Sequence, residues 1–326
     1  MIWLLPYAAF WIWMIIVSLI GGAVDFITHV ALPSLGANGW YPRRNEFGLL
    51  TLVAGSLGRA AQVEVVRTER RGHGAELAAE LGESVDALLC FSGDGGFNEV
   101  LNGLAADVPL GFVPGGAANV LPRALGLPRD AVPAAERLAE SLARGRTRRI
   151  SLGRVNGRRF AFAAGVGFDA ELIRRIEAKG RSSAGKRRGS LYALGAATRI
   201  LAERRGRIDP TLGVEGLGRA AFALIANTDP YTYLGPLPLH ACPAASFELG
   251  LDVAAPESVR PGSLPRFLAY ALTGRRRPPH VLSGHDLDRI EVVCDRPLAL
   301  QADGEDLGDV ERALFESERA AVTVYI

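Results

Sequence analysis

Short apolar runs that lead into glycine-rich turns predict alternating strands and helices in the first half of the chain. The uncharged runs 87–91 and 109–113 are each typical of a buried strand in a parallel sheet. Beyond the first run, apolar residues recur at helical spacing from Phe97 to Leu104, which predicts a helix that begins near Phe97. Further elements expected in this half are strands over 26–32 and 63–66 and helices over 44–59 and 73–81.

The pattern changes to one dominated by strands near residue 150. Asn156-Gly157 is a hairpin signal between a strand over 151–155 and another over 159–164. Further strands are expected over 220–226, 290–293, 298–301 and 320–326, and helices over 170–178, 191–204 and 264–273.

Both buried runs of the first half end in glycine turns that suit an anion. A strand, a glycine turn and a helix N-terminus bring free backbone N–H groups and the positive end of the helix dipole together. Two such turns at one sheet edge are typical of a site for nucleotide phosphates. The backbone that would face the phosphates belongs to Gly93, Gly95, Gly96, Gly115 and Gly116. Asn119 can then hydrogen-bond the nucleotide or order its own loop.

Several motifs resemble those of one known family. The stretch S-G-D-G-G-F-N-E-V-L-N-G-L (92–104) resembles G-G-D-G-T-x-x-E-V-x-N-G-L, and P-G-G-A-A-N-V (114–120) is similar to P-x-G-T-x-N-D. Three more stretches are similar to family motifs and keep the family's order along the chain: T-E-R-R-G-H-G (68–74) before these two, and G-V-G-F-D-A (165–170) and D-G-E (303–305) after them. The chain thus resembles the diacylglycerol kinase catalytic family, which includes sphingosine kinases and bacterial lipid kinases.

The resemblance implies a two-domain fold with its site in the cleft between the domains. We expect an α/β nucleotide-binding domain with a mostly parallel sheet over 26–149 and a β-rich, sandwich-like lipid-substrate domain over 150–305. Residues 306–326 are expected to return to the first domain, and residues 1–25 to form a transmembrane or membrane-anchor segment.

The implied activity is ATP- and Mg²⁺-dependent transfer of the γ-phosphate to a lipid hydroxyl, with diacylglycerol converted to phosphatidic acid. One alternative is a sphingoid-base or other lipid-alcohol kinase. A second is a noncatalytic, membrane-associated protein that binds lipid or nucleotide.

Phosphoryl transfer requires a held nucleotide, a neutralising cation and a carboxylate that takes the hydroxyl proton. The family pattern favours Asp303 as this base, with Asp94 holding Mg²⁺ and the phosphate geometry. The sphingosine kinase branch, which shares S-G-D-G, leaves Asp94 open as the base. Thr68, Glu99 and Glu305 complete the implied cofactor-binding set.

This sequence departs from the family pattern in several places. The family's Asn and Ser in the first loop are Leu32 and Leu35 here, and Leu249 replaces an acid. Gly96 and Ala117 stand where the family usually has Thr. Since a hydrogen bond to a charged group contributes about 1.5–3 kcal/mol, loss of both hydroxyls is expected to weaken ATP binding.

Composition and charge limit the classes of molecule that the protein is expected to bind. The 326 residues carry a net charge of +2, so no overall field indicates nucleic acid. The three cysteines show no metal-ligand spacing and are expected to be buried thiols in a reducing compartment.

A membrane is the expected partner surface. Residues 2–24 are uncharged and long enough to cross a bilayer, although a buried helix or a misassigned start are alternatives. Basic clusters at 174–188 and 275–277 suit an anionic lipid surface. We therefore expect the cytoplasmic face of a membrane, through one N-terminal segment or peripheral contact, with a homodimer left open.

Overall fold

The structure, a computed structural model, describes residues 52–180 and 189–326, without the side chains of 179, 180 and 189–192. The expected segment 1–25, the strand 26–32, Leu32, Leu35 and the basic residues 181–188 lie outside this description. Within the two described ranges, no helix is long and apolar enough to cross a membrane. Val53–Ile326 form one compact unit.

Helices and strands alternate up to residue 144, and strands dominate afterwards. The helices are α1 His73–Leu81, α2 Asp94–Gly103, α3 Val120–Ala124, α4 Ala131–Arg144, α5 Phe168–Gly180, α6 Gly189–Glu203 and α7 Leu264–Thr273. The first seven strands are β1 Leu88–Ser92, β2 Leu110–Pro114, β3 Thr147–Val155, β4 Arg158–Phe160, β5 Ala163–Val166, β6 Leu212–Val214 and β7 Gly218–Ala220. The remaining strands are β8 Ala223–Ala226, β9 Thr232–Leu234, β10 Leu237–Leu239, β11 Leu251–Pro256, β12 Val281–Leu287, β13 Arg289–Ala302 and β14 Glu305–Tyr325.

One hydrogen-bonded sheet connects the α/β region to the β-rich region. Its main path is β1-β2-β14-β13-β5-β8-β11-β12, and β3, β4, β6 and β7 branch from it. β1 pairs with β2 in parallel, and the end of β14 joins β2 in parallel through Val324 and Leu110. The other pairs along the path are antiparallel. The predicted fold class is confirmed: an α/β region with parallel strands accompanies a β-rich C-terminal region.

Burial on both faces explains why the sequence of β2 is apolar without interruption. All five of its residues are buried, as expected for an inner strand of a parallel sheet covered by helices. The rings of Phe97 on α2 and Phe112 on β2 meet edge to face, with centroids 5.2 Å apart. This contact fixes α2 against the sheet immediately after the first glycine turn.

A second core fills the β-rich region. Phe160 on β4 and Phe315 on β14 are fully buried and meet edge to face with centroids 6.4 Å apart. Apolar residues of β5, β8, β11 and β13 pack around them. These strands surround the turn between β13 and β14, which carries Asp303.

Some predicted elements differ from the structure. Residues 63–66 pair with no strand among the described residues, and Val63, Val65 and Val66 are exposed, so that strand prediction is wrong there. The strand expected over 159–164 breaks at residues 161 and 162 because both N–H groups bond the Asp303 carboxylate. The two strands expected over 290–301 form one strand, β13, with an irregular register in its middle.

Two adjacent residues of β13 test the core directly. Val292 is fully buried, whereas Val293 is 47 % exposed, and both pair with the same two neighbouring strands. We expect Val292→Ala to lower the free energy of unfolding by about 2 kcal/mol, because it leaves a cavity. Val293→Ala should change it by less than about 0.5 kcal/mol. Urea unfolding measures both, and equal losses would contradict the assigned register.

Candidate active site

The two glycine turns touch each other through their backbones. They follow the parallel strands β1 and β2, and Gly115 N donates a 2.7 Å hydrogen bond to Ser92 O. A Cβ added to Gly116 would lie 2.6 Å from Gly93 Cα, and one added to Gly93 would lie 3.1 Å from Gly116 Cα. These glycines are therefore required for the turns to pack together, besides any approach of a phosphate.

Asn119 holds the second turn in shape. Its backbone is left-handed with φ 50°, and its side chain is buried. Asn119 Oδ1 accepts from Gly116 N at 2.8 Å, and Nδ2 donates to Gly116 O at 2.9 Å. Of the two roles that the sequence left open, the structure displays the ordering of the loop.

Asp94 joins the two turns from the first residue of α2. Its Oδ1 accepts from Leu121 N, in the first turn of α3, at 3.3 Å. Burial raises the pKa of Asp94 to about 6, with a smaller rise from the Asp303 charge and an opposing effect of the Leu121 N–H. A carboxylate with this pKa can exchange a proton near neutral pH.

Asp303 is a buried carboxylate surrounded by donors. Its Oδ2 accepts from Ala161 N at 2.6 Å and Asn98 Nδ2 at 2.9 Å. Its Oδ1 accepts from Phe162 N at 3.0 Å and Ala163 N at 3.3 Å. Burial raises the pKa of Asp303, and these four donors oppose the rise.

This environment bears on the choice of base. Two donors on each oxygen of Asp303 use the lone pairs that a substrate proton would need. Asp94 accepts a hydrogen bond from Leu121 N, and the nearby N–H groups of Val120 and Asn119 also lower its pKa. The four hydrogen bonds to Asp303 argue against it as the proton acceptor, and the assignment of the base stays a prediction.

Glu99 fastens the turn before α1 to α2. Its Oε1 accepts from Gly72 N at 2.9 Å, and its Oε2 accepts from Gly74 N at 3.2 Å. Thr68, in the same motif as these glycines, is exposed and makes no hydrogen bond with a described residue. Glu99 therefore supports the site through the backbone, while a nucleotide role for Thr68 stays a prediction.

A cleft of about 500 Å³ gathers several of the predicted residues. It is lined by Arg71, Gly95, Gly96, Glu99, Glu177, Asp303, Gly304 and Glu305. Gly93, Gly115, Gly116 and Asn119 form the backbone support of the turns, and neither Asp94 nor Thr68 is part of the lining.

Two arginines at Glu305, one of which lines the cleft, were not among the site residues predicted from the sequence. Arg71 and Arg158 both form ion pairs with Glu305, so they bridge the turn before α1, strand β4 and the D-G-E turn. Arg71 lies inside the T-E-R-R-G-H-G motif, which was a usable signal. Arg158 lies in none of the motifs that carry the resemblance, and only the β3–β4 hairpin places it here.

Asp169 belongs to an internal network behind the same turn. It accepts from Tyr231 Oη at 2.8 Å and Gln301 Nε2 at 2.6 Å, and burial raises its pKa. Gln301 Oε1 in turn accepts from Gly304 N at 3.0 Å. The G-V-G-F-D-A motif is thereby tied to the D-G-E turn through one glutamine.

No group of three or more His, Cys, Asp or Glu residues is placed to hold a metal in the described ranges. A site without three such side chains is still compatible with Mg²⁺. That ion commonly uses one or two carboxylates together with substrate phosphates and water. Asp94, beside both glycine turns, is the carboxylate that would hold it.

The matched segment of the chain carries these turns. Residues 48–155 match the model of the diacylglycerol kinase catalytic domain. The resemblance to the diacylglycerol kinase catalytic family is confirmed. The chain is 38% identical over 104 residues to the diacylglycerol kinase of Bacillus subtilis strain 168. This match covers 31% of this chain and 33% of that protein.

Two further similarities cover very different shares of the chains compared. A 40% identity over 70 residues to sphingoid long-chain bases kinase 1 of Arabidopsis thaliana covers 18% of this chain and 9% of that protein. The crystal structure of a diacylglycerol kinase from Bacillus anthracis strain Sterne shares the fold, with a TM-score of 0.67 at 21% identity over 86% of this chain and 92% of that one. The sequence matches to these two curated relatives span 33% and 9% of their length.

Gly116→Ala tests the contact between the turns. The added Cβ would meet backbone atoms of Gly93, so we expect the free energy of unfolding to fall by about 1–3 kcal/mol. Gly195→Ala on α6 is the control because its Cβ meets nothing within 4 Å and alanine favours a helix by about 1 kcal/mol. Urea unfolding compares the two, and an unchanged stability of Gly116→Ala would refute the close contact.

Asp303→Asn tests whether that carboxylate anchors the fold. The asparagine side chain keeps one oxygen acceptor and turns an NH₂ group toward donors, so we expect a loss of about 3 kcal/mol in unfolding free energy. Asp107→Asn is the matched control because Asp107 is exposed and, in the described part of the chain, forms its ion pair with Arg149. Chemical denaturation gives both values. Full stability of Asp303→Asn would argue against the anchoring role and return Asp303 to consideration as the base.

Proposed function

We propose that the protein is a lipid kinase that transfers the γ-phosphate of ATP to a lipid hydroxyl, with diacylglycerol as the acceptor and phosphatidic acid as the product. The observation that carries the proposal is the contact of two glycine turns at the ends of parallel strands, with Asp94 bonded across them. Backbone N–H groups in this arrangement suit the phosphates of a nucleotide.

Phosphoryl transfer requires little covalent participation by protein side chains. Phosphoryl transfer depends on positioning the phosphates, neutralising their charge and aligning the attacking hydroxyl. The glycine turns would position the phosphates, and Arg71 and Arg158 could turn from Glu305 toward their oxygens. Mg²⁺, when bound, would supply charge neutralisation.

Asp94 carries two proposed roles that can be separated. As the base, it would accept the proton of the lipid hydroxyl; as a metal ligand, it would hold Mg²⁺ beside the phosphates. We propose that Asp94 is the base. Asp303, which lines the cleft, instead fixes the backbone of residues 161–163 through its hydrogen bonds.

The choice of acceptor rests on the relatives. Diacylglycerol kinase of Bacillus subtilis supports diacylglycerol, and the Arabidopsis sphingoid-base kinase supports testing a long-chain base beside it. The family implies a lipid alcohol in either case.

A membrane surface is the proposed place of reaction. Two arginines of the predicted basic cluster are neutralised within the fold: Arg174 pairs with Asp306 and Asp309, and Arg175 pairs with Glu171 and Glu203. By contrast, residues 275–277 are exposed arginines without an acidic partner among the described residues. We assign the contact with anionic lipid to this second cluster.

The deciding experiment is transfer of labelled phosphate from [γ-³²P]ATP to lipid alcohols in mixed micelles. The panel contains diacylglycerol, a sphingoid base and a monoacylglycerol, and the product is identified by thin-layer chromatography. We expect labelled phosphatidic acid from the wild-type protein and a loss of at least about 100-fold in Asp94→Asn, because the general base is removed.

A magnesium titration of the same variant separates the two roles. Activity of Asp94→Asn that recovers at high Mg²⁺ would identify a metal ligand, whereas a loss at every Mg²⁺ concentration supports the base. A folded wild-type protein that binds ATP but labels no lipid would overturn the kinase proposal in favour of noncatalytic binding.

A further inference from the structure

Two positions of the first glycine turn compete for one side-chain space. Ser92 is the last residue of β1, and Gly96 is the third residue of α2. A Cβ added to Gly96 would fall on Ser92 Oγ and lie 2.7 Å from Ser92 Cβ. Only one of the two residues can therefore carry a side chain in this backbone.

The family pattern fills that space from the other side. Aligned with G-G-D-G-T, the stretch 92–96 has serine at the family's first glycine and glycine at its threonine. The hydroxyl missing at Gly96 is thus accompanied by a new hydroxyl at Ser92. Because the two side chains would overlap, this is an exchange of position within the turn and the hydroxyl is retained.

The Ser92 hydroxyl is available to a ligand. Ser92 is half-buried, and its Oγ makes no hydrogen bond with any residue in the described ranges. Gly96, whose missing side chain it replaces, lines the cleft together with Gly95 and Asp303. Ser92 itself does not line the cleft, but its Oγ occupies the space that a side chain at position 96 would fill, directly beside a lining residue.

We propose that Ser92 Oγ donates a hydrogen bond to a phosphate oxygen of the bound nucleotide, in place of the threonine hydroxyl at position 96. The proposal rests on the proposed function, since it assigns a residue to the same nucleotide site. It also revises the expectation that this turn has lost its hydroxyl and binds ATP more weakly for that reason.

The test is a cycle of variants in the full-length protein: Ser92→Ala, Gly96→Thr, and Ser92→Gly combined with Gly96→Thr. Calorimetry measures ATP and ADP binding, and ligand-observed NMR measures adenosine binding. Ser84→Ala is the control because its hydroxyl bonds Leu81 O at the end of α1, outside the cleft lining.

We expect Ser92→Ala to bind ATP and ADP about 10- to 100-fold more weakly, since it loses a hydrogen bond to a charged group. Adenosine, which has no phosphate, should bind as it does to the wild type. Gly96→Thr should bind ATP poorly because its side chain collides with Ser92. The double variant should return to within about threefold of the wild type, because the hydroxyl is restored from position 96.

The outcomes separate this proposal from the one on which it rests. ATP binding by Ser92→Ala equal to that of the wild type would overturn the role of Ser92 and leave the kinase proposal standing. A double variant no better than Gly96→Thr would overturn the exchange. Failure of the folded wild type to bind ATP would overturn the nucleotide site itself and this proposal with it.

Discussion

The site depends on the close approach of two backbone turns. Gly93 and Gly116 lie so near each other that either Cβ would crowd the opposite Cα, and Gly115 N completes the contact by donating to Ser92 O. With the turns in contact, the carboxylate of Asp94 reaches the N-terminus of α3 from the start of α2. Two helix N-termini and one carboxylate are thus brought to one place without a long side chain spanning the gap.

The β-rich region completes the cleft through a second constraint, the buried Asp303. Its carboxylate gathers three consecutive N–H groups at the junction of β4 and β5 and the amide of Asn98 on α2. One side chain thereby joins the helix after the first glycine turn to the strands of the other region. Loss of this carboxylate would disturb the fold and the cleft together, so inactivity of a variant here would not by itself identify a base.

The departures from the family pattern have unequal consequences. Gly96 is compensated in space by Ser92, because both positions address the same volume. Ala117 lies in the exposed part of the second turn. An altered motif is therefore better judged by the space and hydrogen bonds around it than by the letters alone.

The sequence by itself determined the strand–turn–helix units, since apolar runs and helical spacing are local signals. β1 and β2 each lie one residue beyond their expected positions, α2 begins at Asp94, three residues before the expected Phe97, and α1 and α7 have the expected bounds. It also identified the glycine turns, Asp94, Asp303 and Glu305 through motifs. Only the tertiary structure decided that Asp303 is saturated by donors, that Arg158 reaches Glu305, and that Ser92 fills the space at Gly96. These facts depend on residues distant in sequence, or on side-chain volumes at a turn, and no local pattern encodes either.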